Sequence, residues 1–197
     1  SSPRLRRASK FQNKMKDYII AIILGFITAL MAMLVLKNLE VGLPFDNYFL
    51  LIIIPILWAF GIWLGEFLSA WVGFMRQFAR FAVAGFLAAA VDFGILNLLM
   101  FITGLTVGWP FTLFKAVSFA VAATNSYFVN KFWTFKRTEK VSYKEYLQFF
   151  AVSLVGITIN VGIASLVVNG IGPQLGIEQK VWANLGAVAG SAIGLIW

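Results

Sequence analysis

The chain has no cysteine and no histidine, and only eight carboxylates are spread over its 197 residues. The first absence excludes disulfides and thiol chemistry. The second removes imidazole acid–base catalysis and nearly every zinc site. Charged residues are scarce at 12%, whereas 60% of the chain is hydrophobic and the mean hydropathy is +0.86. A soluble domain of this length has too little interior to hide that much apolar surface. Trp, Tyr and Phe supply 16% of the residues, as suits helix ends set in a headgroup layer. The composition therefore specifies a polytopic membrane protein.

Uncharged runs mark the spans. Tyr18–Leu36 lies between Asp17 and Lys37, and Asn47–Gly65 is followed by further apolar residues to Met75. Each matches the roughly 20 residues that cross a bilayer core. The first run is too long for a signal peptide and lacks a small-residue cleavage site. Phe81–Phe101, broken only by Asp92, is a third span, and GLTVGWP (104–110) reads as a turn. Thr112–Phe132, Tyr146–Val168 and a segment from Val181 to Trp197 complete six helices. The expected fold is an all-α membrane helix bundle with three parts. Residues 1–17 form a basic cytoplasmic segment, 18–75 an accessory hairpin, and 77–197 a four-helix domain.

Net charge is +8. With the N-terminus inside, Arg4, Arg6, Arg7, Lys10, Lys14, Lys16, Arg76, Arg80, Lys131, Lys136, Arg137, Lys140 and Lys144 fall on the cytoplasmic side. Only Lys37, Lys115 and Lys180 fall outside. This bias sets orientation in a multi-pass protein of the cell membrane. No basic helix or RNP-like pattern accompanies the charge, so nucleic acid is not an expected partner. Helices 3 and 5 align at a shift of 68 residues, pairing Phe81 with Phe149, Asp92 with Asn160, Gly94 with Gly162 and Leu98 with Leu166. Helices 3–4 and 5–6 would be parallel copies of one hairpin.

Asp92 lies about 18 Å deep at 1.5 Å per residue. An ionisable group there costs at least about 2.5–3.5 kcal/mol unless paired or hydrated. Asn125 and Asn160 are placed at similar depth, with Asn97 one and a half turns beyond Asp92. Together they form either a polar path or a set of interhelical hydrogen bonds. Lys115 either snorkels outward or reaches Asp92. Ala84, Gly85, Ala88 and Ala89 on helix 3 and Gly186, Gly190 and Gly194 on helix 6 are expected at close helix contacts. With a single mid-depth carboxylate there is no acid–base pair. The chain is expected to be no enzyme, with no catalytic residue, cofactor or metal.

The helix-4 ending NSYFVNKFWTF (125–135) carries the most specific pattern. Lys131 suits a helix C-terminus and anionic headgroups. With Asn130 it could grip a phosphate at the membrane surface, ringed by the interface aromatics Tyr127, Phe132, Trp133 and Phe135. Aromatic belt and basic anchor account for every residue type except the embedded amides.

This stretch resembles the hallmark of the GtrA-like family, N-F-x-x-N-[RK]-x-W-T-F, through Asn125, Asn130, Lys131, Trp133, Thr134 and Phe135; Tyr127 displaces the aromatic position. FAVAGFLAAAVD (81–92) approximates the family's first helix, F-x-x-V-G-x-x-x-x-x-x-D, and YKEYLQFFAV the start of its third. The resemblance covers about residues 77–197. It departs in lacking the second aromatic-basic ending, so the native C-terminus is expected to lie beyond Trp197; Met15 is a candidate native start. The resemblance implies flipping of a polyprenyl-phosphate-linked sugar, or of the carrier, for cell-surface polysaccharide. The phosphate would sit on Lys131 and Asn130, with Asp92, Asn125 and Asn160 along the sugar route. A membrane glycosyltransferase is the implied partner, and a homodimer would enclose a larger path. The alternatives are a non-transporting anchor of the glycosyltransferase and a small multidrug-type exporter coupled through Asp92.

Overall fold

Six α-helices run alternately up and down, as the apolar runs require. The computed structural model describes residues 3–44, 46–137 and 142–194, with side chains from residue 12 onward. Lys140 and Trp197 lie outside the described residues, as do the side chains of Arg4, Arg6, Arg7 and Lys10. The helices are α1 (Pro3–Leu39), α2 (Leu50–Leu68), α3 (Met75–Thr103), α4 (Gly108–Val129), α5 (Tyr143–Ser165) and α6 (Gln179–Gly194). The described residues hold no strand. The stretches Gln12–Leu39, Asn47–Leu68, Met75–Thr103 and Tyr143–Ile171 are long and apolar enough to cross a membrane. The protein is an all-α polytopic membrane bundle.

Helix boundaries depart from the apolar runs in a consistent direction. The described basic segment before Tyr18 is already helical and continuous with α1. Its Arg, Lys, Gln and Ala are good helix formers, and no glycine or proline interrupts them. Arg76 and Arg80, expected between helices, lie in the first turns of α3. Hydropathy marks the lipid-covered part of a helix, whereas backbone hydrogen bonding continues past it. The turn expected at 104–110 is present: Gly104 adopts φ 70° and its N–H closes α3 onto Met100 O at 2.8 Å. Helices α4 and α5 both end in π-helical segments, Asn130–Thr134 and Leu166–Ile171.

Two apolar cores stack along α3. Towards the basic end, Ala21, Leu24, Ile62, Val83, Leu87, Ala122 and Trp133 join α1–α4. Towards the opposite end, Leu96, Met100, Phe111, Ala164, Val168, Ala183 and Ala187 join α3–α6. The α5–α6 hairpin closes through small residues: a Cβ on Gly190 would collide with Asn160 O, and one on Gly186 with Val168. Gly194 also faces Asn160. The helix-3 expectation holds only for part of its set. Ala84 is buried, whereas Gly85 is exposed with nothing within 4 Å of an added Cβ, and Ala89 is exposed as well. Gly94 makes the close approach on α3, against Met31 of α1.

Candidate functional site

Helix α4 ends by one π-helical turn, and that turn distributes the NSYFVNKFWTF side chains in three directions. Lys131 turns toward the start of α5, where its Nζ meets Glu145 Oε2 at 2.5 Å and lies 5.8 Å from the centre of the Tyr127 ring. Trp133 turns into the bundle, 5% exposed, and its indole N–H donates to Asp17 Oδ1 of α1 at 3.2 Å. Phe132 and Phe135 face outward, half exposed. The four aromatics expected together at the interface are thus divided, because Trp133 has a buried carboxylate to serve.

Between α4 and α5 the basic end opens into a cleft of about 240 Å³, lined by Ser126, Tyr127, Asn130, Lys131, Phe135, Arg137, Glu145 and Phe149. Asn130 Nδ2 donates to Ser126 Oγ at 3.2 Å. The Tyr127 phenol lies within hydrogen-bonding reach of Lys131 and Glu145, whereas Asn130 Oδ1 is buried without a partner among the described residues. Such an atom is costly to leave unmatched, by about 1–3 kcal/mol. Arg137 is exposed and forms no ion pair among the described residues. The cleft therefore offers two cations against one carboxylate, a free amide acceptor, a phenol shared with the Lys131–Glu145 pair, and an aromatic wall. The charge of Lys131 is already matched by Glu145, which the pattern of the ending alone did not reveal; Glu145 lies 14 residues away.

The mid-depth residues form separate networks, not one layer. Asp92 accepts from Lys115 Nζ at 2.5 Å and from Ser118 Oγ at 2.6 Å, with Lys115 fully buried. Lys115 does not snorkel: its ammonium lies between Asp92 and the Phe93 ring. Asn160 donates to Ser191 at 3.2 Å, and its Oδ1 is buried without a partner. Asn125 makes no side-chain hydrogen bond among the described residues and lies two helical turns, about 10 Å, from Ser118 along α4. Asn97 joins a third network with Asn38 of α1 (2.8 Å) and Asn184 of α6 (2.8 Å). The first two networks each close one hairpin, α3–α4 and α5–α6, whereas the third ties α1, α3 and α6 together.

Sequence reasoning missed a buried cluster at the basic end. Arg80 Nη2 donates to Asp17 Oδ2 at 2.6 Å, and Lys136 stands 3.4 Å from Asp17 Oδ1. Asp17 and Arg80 mark the ends of apolar runs and read as topology signals; nothing in their spacing shows that they meet.

Residues 80–197 match the family described as GtrA/DPMS, transmembrane domain. The chain belongs to this family. The match contains the α4 ending, Asp92, Lys115 and Asn160, and starts at Arg80, leaving α1 and α2 outside. Membership places this GtrA/DPMS-domain chain among membrane proteins concerned with polyprenyl-phosphate sugars. No solved structure matches it.

Proposed function

We propose that the protein moves a polyprenyl-phosphate-linked sugar, or its lipid carrier, across the cell membrane for surface glycan synthesis, and that it catalyses no covalent step. The N-terminus and the basic end lie in the cytoplasm, in accord with the placement of Arg76, Lys136 and Arg137. The cleft between α4 and α5 carries this reading. Its two cations suit a phosphate, the unmatched Asn130 Oδ1 suits a sugar hydroxyl, and Phe135 and Phe149 lead to lipid for the prenyl tail. Glu145 gates the site, since a phosphate that takes over Lys131 must displace it. A membrane glycosyltransferase uses the lipid-linked sugar, and a second copy of the chain would enlarge the path.

The test measures exchange of a fluorescent short-chain polyprenyl-phosphate sugar in proteoliposomes with an impermeant quencher. Wild type should exchange faster than empty vesicles, and Lys131→Ala or Arg137→Ala should lose lipid-phosphate affinity by about tenfold, the range of one charged hydrogen bond. Unchanged affinity in both variants rejects this cleft.

One observation favours a second reading, an anchor that activates the glycosyltransferase and moves nothing. Asp92, Lys115 and Ser118 are packed with at most 5% exposure, which is the property of a static strut. Exchange no faster than in empty vesicles would select it. The same pairing weakens an exporter coupled through Asp92, whose carboxylate is already matched.

A further inference from the structure

We propose that the end of the protein opposite the basic cleft carries a second binding site, for a neutral, hydroxyl-rich saccharide group, between the ends of α1 and α3 and the start of α6. The proposal rests on the translocation reading only in taking that saccharide to be the headgroup of the lipid-linked substrate. A cleft of about 490 Å³ opens there, lined by Asn38, Glu40, Phe101, Thr106, Glu178, Gln179 and Lys180 among others. Its wall mixes polar and apolar groups, and it is fixed from within the bundle. Asn38 is buried and tied to Asn97, which is tied in turn to Asn184, so three helices hold one amide network in place. All three amides are satisfied or nearly so by one another. Gln179 is different: its Nε2 is buried against the cleft with no partner. A ligand acceptor would supply what the protein leaves out.

Charge selects the ligand class. Glu40 and Glu178 face Lys180 among the lining residues, and the Lys37 ammonium stands 4.7 Å from the centre of the Phe101 ring, so the charges around the cleft balance and suit a neutral ligand, unlike those of the basic end. Carboxylates accept from hydroxyls and the amide donates to them, which is the two-way pairing a polyol needs. The Phe101 ring, half exposed with the Lys37 ammonium over it, adds apolar surface for the C–H side of a sugar. Lys180 also bonds Glu40, so the ion pair straps α1 to α6 beside the cleft. That hydrogen bond holds the exposed Glu40 carboxyl below its usual range. A site that holds the sugar without an excess of positive charge for the phosphate would receive the headgroup and then release the lipid.

The cysteine-free sequence allows a site-specific test. A single Val107→Cys, on the exposed turn beside Thr106, takes an environment-sensitive fluorophore, and the full chain is placed in phosphatidylcholine nanodiscs. Free hexoses and pentoses are titrated against inorganic phosphate at constant ionic strength. At least one sugar should give a saturable change, weakened about five- to tenfold by Gln179→Leu, the loss of one hydrogen bond to a buried group. Phosphate should give none. Glu40→Gln, at an exposed carboxylate, repeats the comparison should Gln179→Leu melt early. Failure of every sugar to saturate, saturation by phosphate, or unchanged sugar affinity in folded variants overturns the site. Lipid exchange without sugar saturation rejects this site alone, and sugar saturation without lipid exchange rejects translocation alone.

Discussion

Asp92 and Lys115 show what a buried charge requires of its surroundings. A lone charge is costly at this depth, and Ser118 matches the second carboxylate oxygen. Removing one partner leaves the other uncompensated, which costs about 3–5 kcal/mol, while replacing both by residues of similar volume is often nearly neutral. Lys115→Met should therefore lower stability strongly, and Asp92→Asn should recover much of it in the double variant. Thermal unfolding in detergent of the two single variants and the double reads this directly. Additive losses would mean that the 2.5 Å contact contributes no coupling.

Helix packing depends on where a Cβ is absent. On α6, a Cβ added to Gly190 would collide with Asn160 O and lie 3.2 Å from Ala164 Cβ, so Gly190→Ala must push α5 and α6 apart. The expected loss is about 1–3 kcal/mol, the usual penalty of overpacking. Gly162→Ala in the same hairpin meets nothing within 4 Å and should be neutral or slightly stabilising by helix propensity. Equal melting temperatures for the two variants would show that α6 does not need this close approach. The glycine spacing on α6 was legible because three glycines at intervals of four leave one bare stripe. The set on α3 was only partly legible: four small residues in six positions span more than one face, and composition cannot say which one meets a helix.

At the scale of the molecule, the α1–α2 hairpin is fastened to the GtrA/DPMS domain at both ends. Asp17 holds Arg80, Trp133 and Lys136 at the basic end, and Asn38 holds Asn97 at the other. Gly25 against Pro55 and Gly94 against Met31 bring α1 close to both neighbours in between. Asp17→Ala strands the buried Arg80 and should cost about 3–5 kcal/mol, whereas Trp133→Phe, which loses one donor, should cost nearer 1 kcal/mol. Hydrogen exchange of α1 amides near residue 17 is the measurement. Faster exchange at both ends of α1 in Asp17→Ala would mean that the two fastenings act together. Exchange unchanged from wild type would mean that the hairpin is held by apolar packing alone.

Membrane class, the number of helices and their alternation were written in the sequence itself, because a bilayer demands about 20 apolar residues per crossing and tolerates few charges. The family was legible too, through one eleven-residue ending with Asn, Lys, Trp, Thr and Phe at defined positions. Partnership was not. The directions taken by Lys131 and Trp133 depend on a π-helical turn that no periodicity signals. Glu145 and Asp17 reach them from 14 and 116 residues away. Asp92, Asn97 and Asn160 announced themselves as polar residues at depth, but a one-dimensional pattern gives depth along each helix and not the rotation of one helix against another. That rotation is decided by packing, and it made three separate networks from what depth alone presents as one layer.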